Sequence, residues 1–378
     1  MGLRDELSGI GGVRPGPGDG AGMADGIVAG TIGVLTFHRC INYGSYWQAR
    51  SLVEGLRAGG HDAVLLDHRS HAVTRAEMRC AFQPLLPRRS AREDLPFYGA
   101  KTRKLLAAVD ALPLSQPFDL DDPHTMAPVD TVVIGSDEVW NLAHPWYGGS
   151  RPFYGEGLRA GRIISYAASF GNHDAEQGLG AEWAAMLRQL DAISVRDRNA
   201  HRMVQAATGI DAPLVLDPVL QFPIARAASP GGEGFIAVYG HTFPDWYARE
   251  VRAHADRRGL RLVSIGYRND WAHEQRLDLG PQEFAEAMAA ARAVATNFFH
   301  GCVFALLNER PFACVASAYR ATKLRDLMEV AGTGDRQMEE TGAADIDALL
   351  ETPPGPAVAA RLEVVREASN RFLAQALG

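Results

Sequence analysis

The sequence predicts an α/β fold of two lobes, each a parallel sheet with helices on both faces. Three observations predict it. Short continuous apolar runs, which suit strands buried on both faces, alternate with helical stretches along the chain. The alternation occurs twice, on either side of a segment rich in proline, glycine and alanine at residues 222–233. The chain has 378 residues, beyond the roughly 250 to 300 at which one core stops growing. Each lobe is therefore expected to be Rossmann-like, with a ligand cleft between the two.

The first lobe opens with an apolar strand at residues 31–37. A polar loop through Asn42, Tyr43 and Gly44 follows, then a helix over 45–58. Ser45 is the expected N-cap, and Gly59 and Gly60 the expected C-cap. The next strand is placed at 63–67. Residues 70–125 break the rhythm with basic, proline-dotted helical pieces and are read as an insertion. Strands resume at 131–134, 163–167, 192–195 and 214–216, with a helix near 198–207. The second lobe reads as strand 235–239, helix 246–258, strand 262–265, helix 281–292 opened by Pro281, strand 293–296, helix 300–308 and strand 312–315. A closing helix over about 358–377 has apolar residues at helical spacing. The expected division is a disordered leader (1–29), the first lobe (30–221), the second lobe (222–355) and a final helix (356–378) packing back on the first lobe.

The net charge of -7 argues against broad binding to nucleic acid or anionic membrane, which needs a basic footprint. The four cysteines, Cys40, Cys80, Cys302 and Cys314, show neither a CxxC pair nor zinc spacing, and read as buried thiols in a reducing compartment. No run approaches the roughly 20 apolar residues of a membrane span, and the first residues lack the apolar core of a signal peptide. A cytoplasmic enzyme is the expectation. Carboxylates and histidines are scattered without ligand spacing, so no metal and no cofactor is expected.

In open α/β sheets ligands sit beyond the carboxyl ends of the strands. That rule selects Asn42, Tyr43, Gly44 and Ser45 after the first strand, and Gly135, Ser136, Asp137 and Glu138 after the 131–134 strand. It also selects Arg196 and Asp197, then Asp217, and in the second lobe His241 and the stretch from Asn297 to Gly301. Gly, Ser, Asp, Arg and His on strand-end loops of both halves point to a ligand held between the lobes.

Six of these segments, in order, resemble the polysaccharide pyruvyl transferase family. They are Asn42 to Ser45 with Gln48; Val133 to Asn141; Ile164 to Gly171; Ile193 to Asp197; Val215 to Pro218; and Thr296 to Gly301 with Phe304, Pro311 and Phe312. The resemblance runs from about residue 32 to 336 and fails mainly in the insertion. It implies a two-lobed fold like the GT-B glycosyltransferases. It also implies transfer of a pyruvyl group from phosphoenolpyruvate to hydroxyls of a saccharide or other polyol, giving a ketal and phosphate.

The residues suit that chemistry. The donor carries phosphate and carboxylate and needs fixed cations, and its methylene carbon must be protonated, which suits a histidine. His300 is the expected general acid or phosphate ligand, Arg196 the ligand of the donor's anionic groups or else a structural ion pair with Asp197 or Asp217, and Asp137 the base or else a helix cap. Asn42, Tyr43, Gly44, Ser45, Gly135, Ser136, His241, Asn297 and Gly301 are expected around the substrates. The resemblance departs at Phe298, where many members carry arginine; Arg320 and Lys323 are the cations expected to compensate. Two other readings stay open: a different group transfer to a non-sugar acceptor, and a non-catalytic binding protein of the same fold.

Overall fold

The computed structural model describes residues 28–225, 233–317, 321–342 and 345–378. The expected leader, most of the expected linker and Arg320 lie outside the described residues. In chain order the elements are β1 (Val28–Leu35), α1 (Tyr43–Ala58), β2 (Asp62–Leu65), β3 (His68–Arg69), α2 (His71–Phe82), α3 (Leu95–Asp110), β4 (Phe118–Asp119), β5 (Val129–Ile134), β6 (Ala160–Ala168), α4 (Ala181–Leu187), β7 (Ala192–Val195), α5 (Arg198–Thr208) and α6 (Pro218–Gln221). They continue with β8 (Glu233–Tyr239), α7 (Asp245–Arg258), β9 (Arg261–Ile265), β10 (Glu274–Arg276), α8 (Pro281–Ala290), β11 (Ala291–Thr296), α9 (Phe299–Leu307), β12 (Phe312–Val315), α10 (Ala321–Ala331), β13 (Gln337–Met338), α11 (Ile346–Glu351) and α12 (Pro356–Leu377).

Two parallel sheets result, ordered β2-β1-β5-β6-β7 and β10-β9-β8-β11-β12-β13. Their apolar runs have the predicted cause. Val34 and Leu35 are both fully buried, but they point to opposite faces and join different core clusters. Two short strands, β10 and β13, lie at the edges of the second sheet and carry too few residues for a periodic signal.

One hydrophobic cluster runs through both lobes. It joins Val34 and Val133 of the first sheet to Ala237 and Val263 of the second through Trp47 and Leu52 of α1, Phe284 of α8 and Phe304 of α9. Polar contacts fix the same seam. The Trp47 indole donates to the Pro281 carbonyl at 3.0 Å, and the Tyr43 hydroxyl to the Leu279 carbonyl at 2.6 Å. The insertion folds as α2, α3 and a small β3-β4 pair outside the main sheets, and it adds further bolts. Arg268 grips Asp94 with two bonds of 2.5 Å, and Lys104 reaches Glu283 at 2.7 Å. α12 touches the first lobe, with the Ser369 hydroxyl accepting from Leu216 N at 2.9 Å and Arg366 donating to the Leu220 carbonyl at 3.0 Å.

Local details differ from the sequence reading at element ends. β1 starts at Val28 rather than at residue 31. Asn42, not Ser45, caps α1: its side-chain oxygen accepts from Gly44 N at 2.7 Å. Asparagine and serine cap comparably well, so composition alone does not choose between them.

Candidate active site

Where the two lobes meet, a cavity of about 150 Å³ is lined by Asn42, Ser45, Asp137, Glu138 and Arg196 from the first lobe. Tyr239, Phe298, Phe299, His300 and Lys323 line it from the second. Every wall residue but Lys323 sits at the end of a parallel strand or in the loop or first helical turn that follows it, and Lys323 sits in the first turn of α10. β1 leads to Asn42 and Ser45, β5 to Asp137 and Glu138, β7 to Arg196, β8 ends in Tyr239, and β11 leads to Phe298, Phe299 and His300.

Asp137 is held in an unusual backbone state. Its φ is +76°, and Gly135 two residues earlier has φ +114° with no room for a side chain, since a Cβ there would stand 2.3 Å from the Tyr166 carbonyl oxygen. The turn aims the Asp137 carboxylate into a buried ion network. Oδ1 accepts from Arg196 Nη2 at 3.2 Å and from Glu138 N at 2.9 Å, and Oδ2 accepts from the Ser45 hydroxyl at 3.0 Å. Arg196 Nη1 donates to Asp217 at 2.9 Å, and the guanidinium carbon lies 4.4 Å from the centre of the Phe299 ring. Lys323 donates to Glu138 at 2.7 Å.

These partners set the ionisation. Burial raises the Asp137 carboxyl, but Arg196, His300 and Lys323 outweigh it and hold it down at about 2. Glu138 is likewise raised by burial and brought below its ordinary value by Lys323. His300 goes the other way: burial lowers its imidazole, Asp217 and Asp137 recover part of the loss, and Arg196 and Lys323 push it down again. The ring is therefore neutral at pH 7. Among the described residues its Nε2 has no hydrogen-bond partner, and it stands 3.7 Å from Asp217 Oδ2.

His300 owes its position to Gly44. A Cβ on residue 44 would stand 2.1 Å from His300 Nδ1, closer than any side chain tolerates. Gly44→Ala is expected to displace the ring and lower turnover by about 100-fold, while costing about 1–3 kcal/mol of stability. Steady-state rates and urea unfolding of the same preparation check this. Wild-type rates would show that the ring has no fixed place in the reaction.

Of the residues singled out in the sequence, Asn42, Ser45, Asp137, Arg196, His300 and Lys323 meet in this cavity. Several others do not reach its wall. Tyr43 is fully buried at the lobe seam, stacked on Phe284 at 4.3 Å. Ser136 is fully buried, and its carbonyl accepts from Thr36. Asn297 donates to the His241 carbonyl, and Gly301 packs inside α9. His241 lines a neighbouring cavity instead. Its ring meets Phe298 edge-on at 5.3 Å, and Phe298 also abuts Tyr239 and Tyr267 at 5.1 and 5.2 Å. Where the resemblance leads one to look for an arginine there is an aromatic wall.

Of the two roles expected of Arg196, the structure shows the ion pair with Asp217, at 2.9 Å. Both terminal nitrogens of its fork are taken by Asp137 and Asp217, and the buried Nε has no partner among the described residues. It organises charge rather than presenting an open fork to an anion. Asp137, with both oxygens occupied and its carboxyl held down, is a weak base. Glu138 and Asp217 are visible as strand-end carboxylates in the sequence, and the pairing of Asp217 with Arg196 is one of the alternatives read there, but nothing shows that Glu138 pairs with Lys323.

The model of one family, described as polysaccharide pyruvyl transferase, matches residues 42–319, which spans every wall residue of the cavity but Lys323. The chain belongs to the polysaccharide pyruvyl transferase family. It is accordingly a transferase, and the matched stretch carries His300 and Arg196. Two solved structures resemble it at low identity. A putative UDP-N-acetylglucosamine 2-epimerase from Listeria monocytogenes is 10% identical with a TM-score of 0.48, covering 92% of this chain and 91% of that one. A glycosyltransferase involved in avilamycin A biosynthesis is 16% identical with a TM-score of 0.44, covering 91% and 96%. A phosphoglycerate kinase from Roseobacter denitrificans is 35% identical over 115 residues, and the match takes in 29% of this chain and 28% of that enzyme. Among the described residues no helix is long and apolar enough to cross a membrane.

Proposed function

We propose that this family member transfers the pyruvyl group of phosphoenolpyruvate to hydroxyls of a saccharide or other polyol, in the cavity between the lobes. The observation that carries the reading is one convergence. A neutral histidine, its Nε2 unpartnered among the described residues, lines the same cavity as Lys323 in the first turn of α9, a helix that no described side chain caps. An uncapped helix start and a lysine both favour an anion.

The steps balance as follows. A proton passes from His300 to the methylene carbon of the donor, and the adjacent carbon becomes electron-poor. An acceptor hydroxyl adds there and loses its proton, for which the now neutral imidazole is the available base, since Asp137, its carboxyl held at about 2, is too weak a base. Phosphate leaves with the electron pair of its carbon–oxygen bond. A second hydroxyl closes the ketal and gives up its proton to the released phosphate, and His300 is left protonated as it began.

The charges around the cavity explain how His300 obtains the first proton. Among the described residues, the carboxylates of Asp137, Glu138 and Asp217 are paired with the two cations Arg196 and Lys323. An anionic donor raises the imidazole's proton affinity, so binding draws in a proton. Because the empty-state value is depressed, affinity is expected to fall as pH rises above that value, until it passes the higher value of the complex.

Calorimetry with phosphoenolpyruvate in two buffers of different ionisation enthalpy checks this directly. The expected result is binding with proton uptake near pH 7, weakened roughly 10- to 100-fold in Lys323→Met, which removes one charge-assisted contact. No binding by the wild-type protein at millimolar donor contradicts the reading.

A further inference from the structure

Beside the catalytic cavity lies a second one of about 220 Å³. The two share Asn42, Ser45, Asp137 and Glu138, so what occupies the second abuts what occupies the first. Its outer wall comes from the insertion. α2 supplies Glu77 and Ala81, and α3 supplies Lys101. Tyr267 of the second lobe and Trp146 of the first add two aromatic surfaces.

Lys101 is the unusual group there. It is 4% exposed, and Nζ donates to the Gly266 carbonyl at 2.9 Å. The ammonium stands 4.2 Å from the Tyr267 ring centre and 4.8 Å from that of Tyr43. Among the described residues no carboxylate pairs with it. The acids of the same wall are committed elsewhere. Both oxygens of Glu77 accept bonds, from Ile41 N and from the Trp146 indole, while Asp137 and Glu138 hold Arg196 and Lys323. A buried cation with no counter-charge is costly unless a ligand provides one.

We propose that this second cavity is the acceptor subsite, and that it takes an acceptor carrying a carboxylate or phosphate group, paired with Lys101 while Trp146 and Tyr267 flank the sugar ring. The proposal rests on the reading of the first cavity as the donor site. Its chemistry is consistent with the state of Lys101: burial lowers the amine to about 7, and an anion alongside would restore its full charge. It also gives the insertion a purpose, because a helical pair outside both sheets can vary in the acceptor it reads without disturbing the donor machinery.

The test is equilibrium binding of three probes to the full chain: methyl β-glucuronide, glucose 6-phosphate and methyl β-glucoside. The wild-type protein is expected to bind one of the two anionic sugars at least about tenfold tighter than the neutral one, and which of the two tells carboxylate from phosphate. Lys101→Met is expected to erase that preference while leaving the glucoside affinity within about twofold. Ala81→Trp, which fills the cavity from α2, is expected to weaken all three probes. Equal affinities in the wild type overturn the proposal, as does an anion preference that survives in Lys101→Met or tight binding retained by Ala81→Trp. The wild-type comparison and the Ala81 variant keep the test decisive if Lys101→Met fails to fold. Binding of these probes needs no turnover, so it separates this subsite from the donor assignment. If phosphoenolpyruvate fails to bind while the preference holds, the donor reading falls and the subsite stands.

Discussion

Replacing His300 with asparagine is expected to lower turnover about 100- to 10,000-fold at saturating donor, with little change in stability. The first half follows from the placement of the ring, a neutral imidazole in a charged cavity at the start of α9. The second follows from what the ring does not do. Nε2 makes no hydrogen bond among the described residues, so asparagine forfeits no such bond there. Turnover by phosphate release and thermal melting of both proteins separate the outcomes. Near-normal turnover removes His300 from proton transfer. A large fall in melting temperature makes it a structural residue, and its unpartnered nitrogen then lacks an explanation.

Arg196→Ala is expected to damage the fold rather than simply the affinity. Arg196 is 6% exposed and neutralises Asp137 at 3.2 Å and Asp217 at 2.9 Å. Removing it strands two buried carboxylates, which costs about 3–5 kcal/mol. The sign of the pH dependence follows from Asp137. Its folded value of about 2 lies below the roughly 3.9 of an unfolded aspartate, so in the wild type its stabilisation is complete above that value and is lost as pH falls toward 2. In the variant the main source of the depression is gone and the carboxyl titrates higher. The deficit against the wild type should then be largest at neutral pH and shrink on acidification, where protonation removes the stranded charge. Urea unfolding at neutral and acid pH measures both. An unaltered unfolding midpoint with a pure loss of donor affinity would restore Arg196 as an open anion ligand.

The comparison between sequence and structure turns on how far each signal reaches. Strands such as β5 and β11 were legible because burial on both faces writes a continuous apolar run. The strand-end rule then found Asp137, Arg196 and His300 without any contact information. Edge strands β10 and β13 are too short to show a period. Pairing was the larger blind spot. The pair of Arg196 with Asp217 was among the open alternatives, but the bond of Arg196 to Asp137 spans 59 residues of sequence and that of Lys323 to Glu138 spans 185, so no local pattern could report those two. The insertion was legible only as a break in rhythm. That α3 brings Lys101 to the cleft depends on its contact with Gly266, 165 residues away, which a linear reading has no means to see.

The central claim is proton-initiated pyruvyl transfer, and it is tested most directly by running the reaction in D2O with phosphoenolpyruvate and a saccharide acceptor, then analysing the product by mass spectrometry and NMR. The account predicts stoichiometric phosphate release and a ketal whose methyl group carries one deuterium, gained when the methylene carbon is protonated. A modified acceptor without that deuterium, or no phosphate release with any acceptor tried, would contradict it.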